Sequence, residues 1–141
     1  MPASRLTLAQ FFAAYGVAFV VMSVLDGAWL GWLARDFYKQ ELGSLMTDSV
    51  RWVPAALYYS LFPAAVVFLA LTPSPGGLGE AVVRSAVLGL AAFGVYDLTN
   101  LATLRGYTVM MTVVDMAWGT FASAMGGGAA YSLVVSRTSS G

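Results

Sequence analysis

Along the chain, long apolar runs alternate with short polar connections, and four runs reach the roughly 20 residues needed to cross a hydrocarbon layer. They fall at about 8–33, 52–71, 81–104 and 107–135. The pattern predicts an all-α polytopic membrane protein: a single transmembrane domain over residues 1–141, built as a four-helix bundle with both termini on the same side. The side holding the termini is called side A, and the side holding the connections after helices one and three is side B. The first run is too long for a signal-peptide core and contains Asp26, so it reads as a retained helix.

The connections differ in character. Between 35 and 51, Arg35, Asp36, Lys39, Glu41, Asp48 and Arg51 alternate with Phe37, Tyr38, Leu42, Leu45 and Met46, which fits either a short interfacial helix or a polar loop. Pro73, Pro75, Gly76, Gly77 and Gly79 stop one helix and turn the chain. Arg105-Gly106 predicts a tight turn joining helices three and four as a hairpin. Pro54 suits a first helical turn, and Pro63 predicts a kink in helix two. Trp32 and Trp52 fit an aromatic belt on side B, but the cations divide too evenly between the two sides to orient the chain.

Composition agrees with the pattern. Hydrophobic residues make up 59% of the chain and charged residues 10%, with a mean hydropathy of +0.76, so lipid is the expected solvent. Seven Lys and Arg balance seven Asp and Glu without a basic run, which argues against nucleic-acid binding. Without Cys or His, the chain lacks thiolate nucleophiles and the usual zinc, haem and iron–sulfur ligands, so neither a metal site nor a cofactor is expected.

The chemistry left to consider lies in three acids inside apolar runs: Asp26, Asp97 and Asp115. Each costs roughly 2.5–3.5 kcal/mol at a helix centre, so each calls for a partner or water. All three lie about seven residues from the side B end of their helices, or roughly 10 Å deep at a rise of about 1.5 Å per residue. Tyr58 and Tyr59 reach a similar depth, Asn100 follows Asp97 by one turn, and Trp29 and Trp118 each follow an Asp by three residues, placing an indole donor beside a carboxyl. Close carboxyls without a buried cation cannot all ionise, so at least one should share a proton with its neighbours.

This polar layer reads either as a site for a proton, a cation or a polar lipid-derived solute in a transporter- or channel-like protein, or as the acid–base groups of a lipid-modifying enzyme or its partner. Three acids at one depth are more than a clamp needs, so the transporter- or channel-like reading comes first, and a hydrogen-bonded clamp in an accessory subunit of a larger membrane complex is the further alternative. Small residues at Gly27 and Gly31, and at Gly119, Ser123 and Gly127, predict close helix packing within the chain, with a homodimer as the alternative.

Val24-Leu25-Asp26-Gly27-Ala28-Trp29 is echoed in Val113-Val114-Asp115-Met116-Ala117-Trp118, a short internal similarity. These elements and the string Val95-Tyr96-Asp97-Leu98-Thr99-Asn100-Leu101-Ala102-Thr103-Leu104 resemble the bacterial membrane-protein family catalogued as domain of unknown function 2177. The resemblance covers nearly the whole chain. It implies a four-helix protein of the bacterial cytoplasmic membrane, with Asp26, Trp29, Asp97, Asn100, Asp115 and Trp118 as signature positions, and it assigns no reaction.

Overall fold

The structure, a computed structural model, describes residues 5–138, all of whose regular elements are helical. Helix α1 runs Leu8–Ala28 and ends in a π-helical turn, Trp29–Leu33. Its start is fixed by reciprocal bonds: the Gln10 amide donates to Thr7 Oγ1 at 3.1 Å, and the Thr7 amide donates to Gln10 Oε1 at 2.7 Å. After Ala34 leaves helical geometry, with φ −115° and ψ 9°, a short helix α2 covers Arg35–Leu42. Of the two forms open to the 35–51 segment, the helix is the one adopted in its first half. Its apolar positions turn inward, Tyr38 fully and Phe37 and Leu42 partly, while Arg35, Asp36, Lys39 and Gln40 are exposed.

Helix α3 covers Trp52–Ala65 and continues as a π turn, Val66–Ala70, just after the buried Pro63. Helix α4, Leu78–Thr103, begins three residues before the expected position 81. The glycines there did not prolong the turn because Glu80 Oε2 accepts the Gly76 amide at 2.6 Å, and Arg84, paired with Glu80, donates to the Pro73 carbonyl at 2.7 Å. A turn with Gly106 at φ 86° leads to helix α5. This last helix covers Val109–Ala130, is capped by Thr108 Oγ1 accepting from the Met111 amide at 3.0 Å, and continues through a π turn, Tyr131–Val135, into Ser136–Thr138.

Among the described residues, three helical stretches are long and apolar enough to cross a membrane: Leu8–Leu33, Trp52–Ala70 and Leu78–Thr103. Only 17%, 22% and 22% of their most hydrophobic windows is buried, so most of that apolar surface points outward and requires lipid around it. Helix α5 is the opposite case. Gly and Ser replace bulky apolar residues along it, and ten of its positions are buried against the other helices.

Helices α4 and α5 pack antiparallel as a ladder with a four-residue step. Ser85 meets Gly127, Gly89 meets Ser123, Phe93 lies on Gly119, and Asp97 meets Asp115. At Gly89 an added Cβ would lie 2.6 Å from the Gly119 carbonyl oxygen, so the two backbones approach as closely as glycine allows. Gly126 is covered by Met22 of α1 in the same way. Gly119, Ser123 and Gly127 pack within the chain. Gly27 and Gly31 do not: both are exposed, and an added Cβ would meet nothing within 4 Å. Helix α1 turns Ala14, Ala18, Met22 and Asp26 inward instead, which rotates its glycines away from the bundle.

Candidate functional site

The three acids are buried, with side-B-proximal residues of every helix around them. Asp97 is 0% exposed, Asp26 6% and Asp115 8%. Two carboxyls, those of Asp97 on α4 and Asp115 on α5, lie beside each other as one rung of the α4–α5 ladder. Asp97 Oδ1 accepts from the Tyr107 hydroxyl, whereas Asp97 Oδ2 is buried with no hydrogen-bond partner. Asp115 Oδ1 accepts from the Tyr38 hydroxyl at 2.7 Å, and that hydroxyl in turn accepts from Trp29 Nε1 at 3.0 Å. Asp26 Oδ1 accepts from Trp118 Nε1 at 2.8 Å, and Tyr59 reaches the same carboxyl from α3.

The indoles thus cross. The three-residue spacing suggested that each Trp serves the Asp of its own helix, but Trp118 of α5 bonds Asp26 of α1. Trp29 of α1 approaches Asp115 of α5 through Tyr38. A side chain three residues after another shares its helix face, yet in a packed bundle that face looks onto the neighbouring helix, where the nearer acceptor lies. The two rings stack between the helices with centroids 4.4 Å apart and planes 5° from parallel. The repeated Asp-x-x-Trp elements thereby form a nearly reciprocal arrangement about the stacked pair.

Not every expected residue joins. Tyr58 is partly exposed and stacks on Phe62 at 5.7 Å, leaving Tyr59 as the tyrosine of α3 that touches a carboxyl. Asn100 sits with Tyr96 and Tyr107, one residue removed from the acid pair. An open groove lined by Trp29, Val113, Val114, Ala117, Trp118 and Phe121 borders the stacked indoles and is apolar.

Two further residues complete the acid pair, one from the 35–51 connection and one from the first position of the fourth apolar run. Tyr38 belongs to α2 and Tyr107 to the turn before α5. Burial pushes the pKa of both hydroxyls up, and the carboxyls they face add to the rise, so each phenol remains a neutral donor. The available signal for Tyr38 was its place on the apolar side of an amphipathic segment. For Tyr107 it was the tight turn, which folds the start of α5 back over the last turns of α4.

No curated protein and no solved structure matches the chain. The sequence model of the family described as "Predicted membrane protein (DUF2177)" matches residues 11–132. With helices whose outward surfaces demand lipid, the chain is a membrane-embedded protein and belongs to that family.

Proposed function

We propose that the protein is a small transporter- or channel-like protein of the bacterial cytoplasmic membrane that binds a proton at the Asp97–Asp115 pair, with α5 as a fourth span and both termini on side A. The observation that carries the reading is the bare Asp97 Oδ2, fully buried beside a second carboxyl. Ionised carboxylates are acceptors only, so two of them cannot satisfy each other; one shared proton supplies the missing donor. The remaining contacts are phenol and indole donors aimed at carboxyl oxygens, which suits proton binding better than a shell of oxygens around a metal ion.

Support for a fourth span comes from the ladder that holds α5 along α4 and from its length. The 22 residues of Val109–Ala130 extend about 33 Å, enough to cross the hydrocarbon. Its reduced hydropathy follows from the Gly and Ser that face α4 rather than lipid.

The test is proton flux into liposomes under an imposed gradient. Asp97→Asn keeps the size of the side chain and an oxygen for Tyr107 while removing the titratable proton. The expected result is a folded variant whose flux falls about tenfold or more, equivalent to at least ~1.4 kcal/mol on the barrier. Parent flux no faster than that of empty liposomes, or equal flux in the variant, overturns the proposal.

A second reading has its own observation. The Trp118–Asp26 bond and the Trp29–Tyr38–Asp115 chain tie α1, α2 and α5 together, as a clamp in an accessory subunit would. On that reading Asp97→Asn retains full function with a stability loss of about 1 kcal/mol.

A further inference from the structure

Helix α2 differs from the other helices in being short, polar on its outer face and attached by few elements. It packs on the end of α1 and the start of α5. Its ends are breaks: Ala34 lies outside helical geometry after the π turn of α1, and Gly43 adopts φ 51° and ψ −123°. Beyond it, residues 46–51 are all exposed. Its inner face nevertheless covers the acid pair. Tyr38 donates to Asp115, Glu41 accepts from the hydroxyl of Thr108, the N-cap of α5, and Ala34 and Tyr38 share a buried cluster with Met111 and Tyr107, against which Phe37 and Leu42 pack together with Trp29 and Leu101. Met111 is 3% exposed and sits one helical turn before Asp115 on the same face of α5.

We propose that α2 is a hinged lid, pivoting at Ala34 and Gly43, whose docking through Tyr38 and Glu41 decides whether the Asp97–Asp115 pair meets water on side B. This rests on the proton-binding reading for its purpose, but the motion itself can be tested alone. The two latches lie one turn apart on the inner face: one ties α2 to the acid pair, the other to the cap of the helix that carries Asp115. Breaking either leaves the apolar contacts of Phe37 and Leu42, so α2 loosens without the bundle coming apart. The closed lid keeps a neutral phenol between solvent and Asp115; the open lid removes that phenol and exposes the face of α5 that leads to it.

Because the chain has no cysteine, Met111→Cys provides a reporter beneath α2, and Ala122→Cys provides one in the α5 core, where the native residue is 2% exposed. A water-soluble maleimide applied to the liposome-reconstituted protein measures how often each becomes exposed. Slow labelling is expected at Met111→Cys, accelerating about five- to tenfold when Tyr38→Phe or Glu41→Ala is added, as expected for the loss of one latch. Labelling at Ala122→Cys should remain unchanged. Fast labelling of Met111→Cys with both latches intact, no acceleration in either latch variant, or equal acceleration at Ala122→Cys overturns the lid. Accelerated labelling in a protein that shows no proton flux would leave the lid standing and remove the proton-binding reading, so the two failures are distinct.

Discussion

The two halves of the bundle are held by different physics. Toward side B, Asp26, Asp97 and Asp115 meet Trp118, Tyr107 and Tyr38 through directional bonds made by long side chains. Toward side A, α4 and α5 meet through Gly89, Gly127, Ser85 and Ser123, and the core around them is Ala14, Ala18, Val67, Leu71, Ala81, Ala130 and Val135. In lipid, apolar surface gains little from facing another helix, so close backbone approach and polar bonds are the available cements. Each half uses mainly one of them. The small-residue half fixes the spacing that brings Asp97 to Asp115.

The largest effect is expected where the seam leaves no room. In Gly89→Ala the new methyl would meet the Gly119 carbonyl oxygen at 2.6 Å and would also crowd Ser123 Oγ, and a carbonyl in a packed helix cannot rotate aside. The helices must part, at a cost of about 3 kcal/mol. The same change at Gly27, which faces open space, should alter stability by less than about 1 kcal/mol and in the favourable direction. Denaturant titration in micelles measures both. Equal losses at the two sites would show that the seam is not the tighter contact.

A middle-sized effect is expected in the polar half. Trp118→Phe keeps a ring over Trp29 but leaves Asp26 Oδ1 without its indole donor, with Tyr59 as the remaining partner. The loss should be about 1–2 kcal/mol. Tryptophan fluorescence, now from fewer indoles, would follow the same unfolding. A loss as large as that at Gly89 would erase the distinction between the halves.

The same contrasts mark how far the amino-acid sequence discloses the fold and the site. Each Asp stands out as a polar interruption in an apolar run, and equal distances from the helix ends place the three at one depth. Helix rotation is not legible: Gly27 and Gly31 carry the same spacing as Gly119 and Ser123, yet Met22 and Asp26 claim the inward face of α1. Nor is the crossing of the indoles, because spacing along one helix says nothing about which neighbour its face meets. Tyr38 is hidden for a different reason. Its segment lacks the long hydrophobic run that announces a span, so its inward-facing residue emerges only when α2 folds over the bundle. Tyr107 heads the fourth run, but the sequence does not show that the turn before α5 brings its hydroxyl back to Asp97.

The smallest effect is expected at two hydroxyls inside the seam. Several hydroxyls in the helices bond a carbonyl one turn back, as Thr112 does to Thr108 at 2.9 Å and Thr120 to Met116 at 2.8 Å. Ser85 and Ser123 differ: both are 0% exposed, and their Oγ atoms have no partner. They are small because Gly127 and Gly89 press against them, and Ala fits the same space without an unsatisfied oxygen. Ser85→Ala should therefore change stability by about 0 to 1 kcal/mol in the stabilising direction, since no bond is lost. Thr112→Val, which removes a bonded hydroxyl, should not stabilise. If Ser85→Ala instead costs as much as Trp118→Phe, the hydroxyl has a polar role in the seam, and close packing alone does not hold that half together.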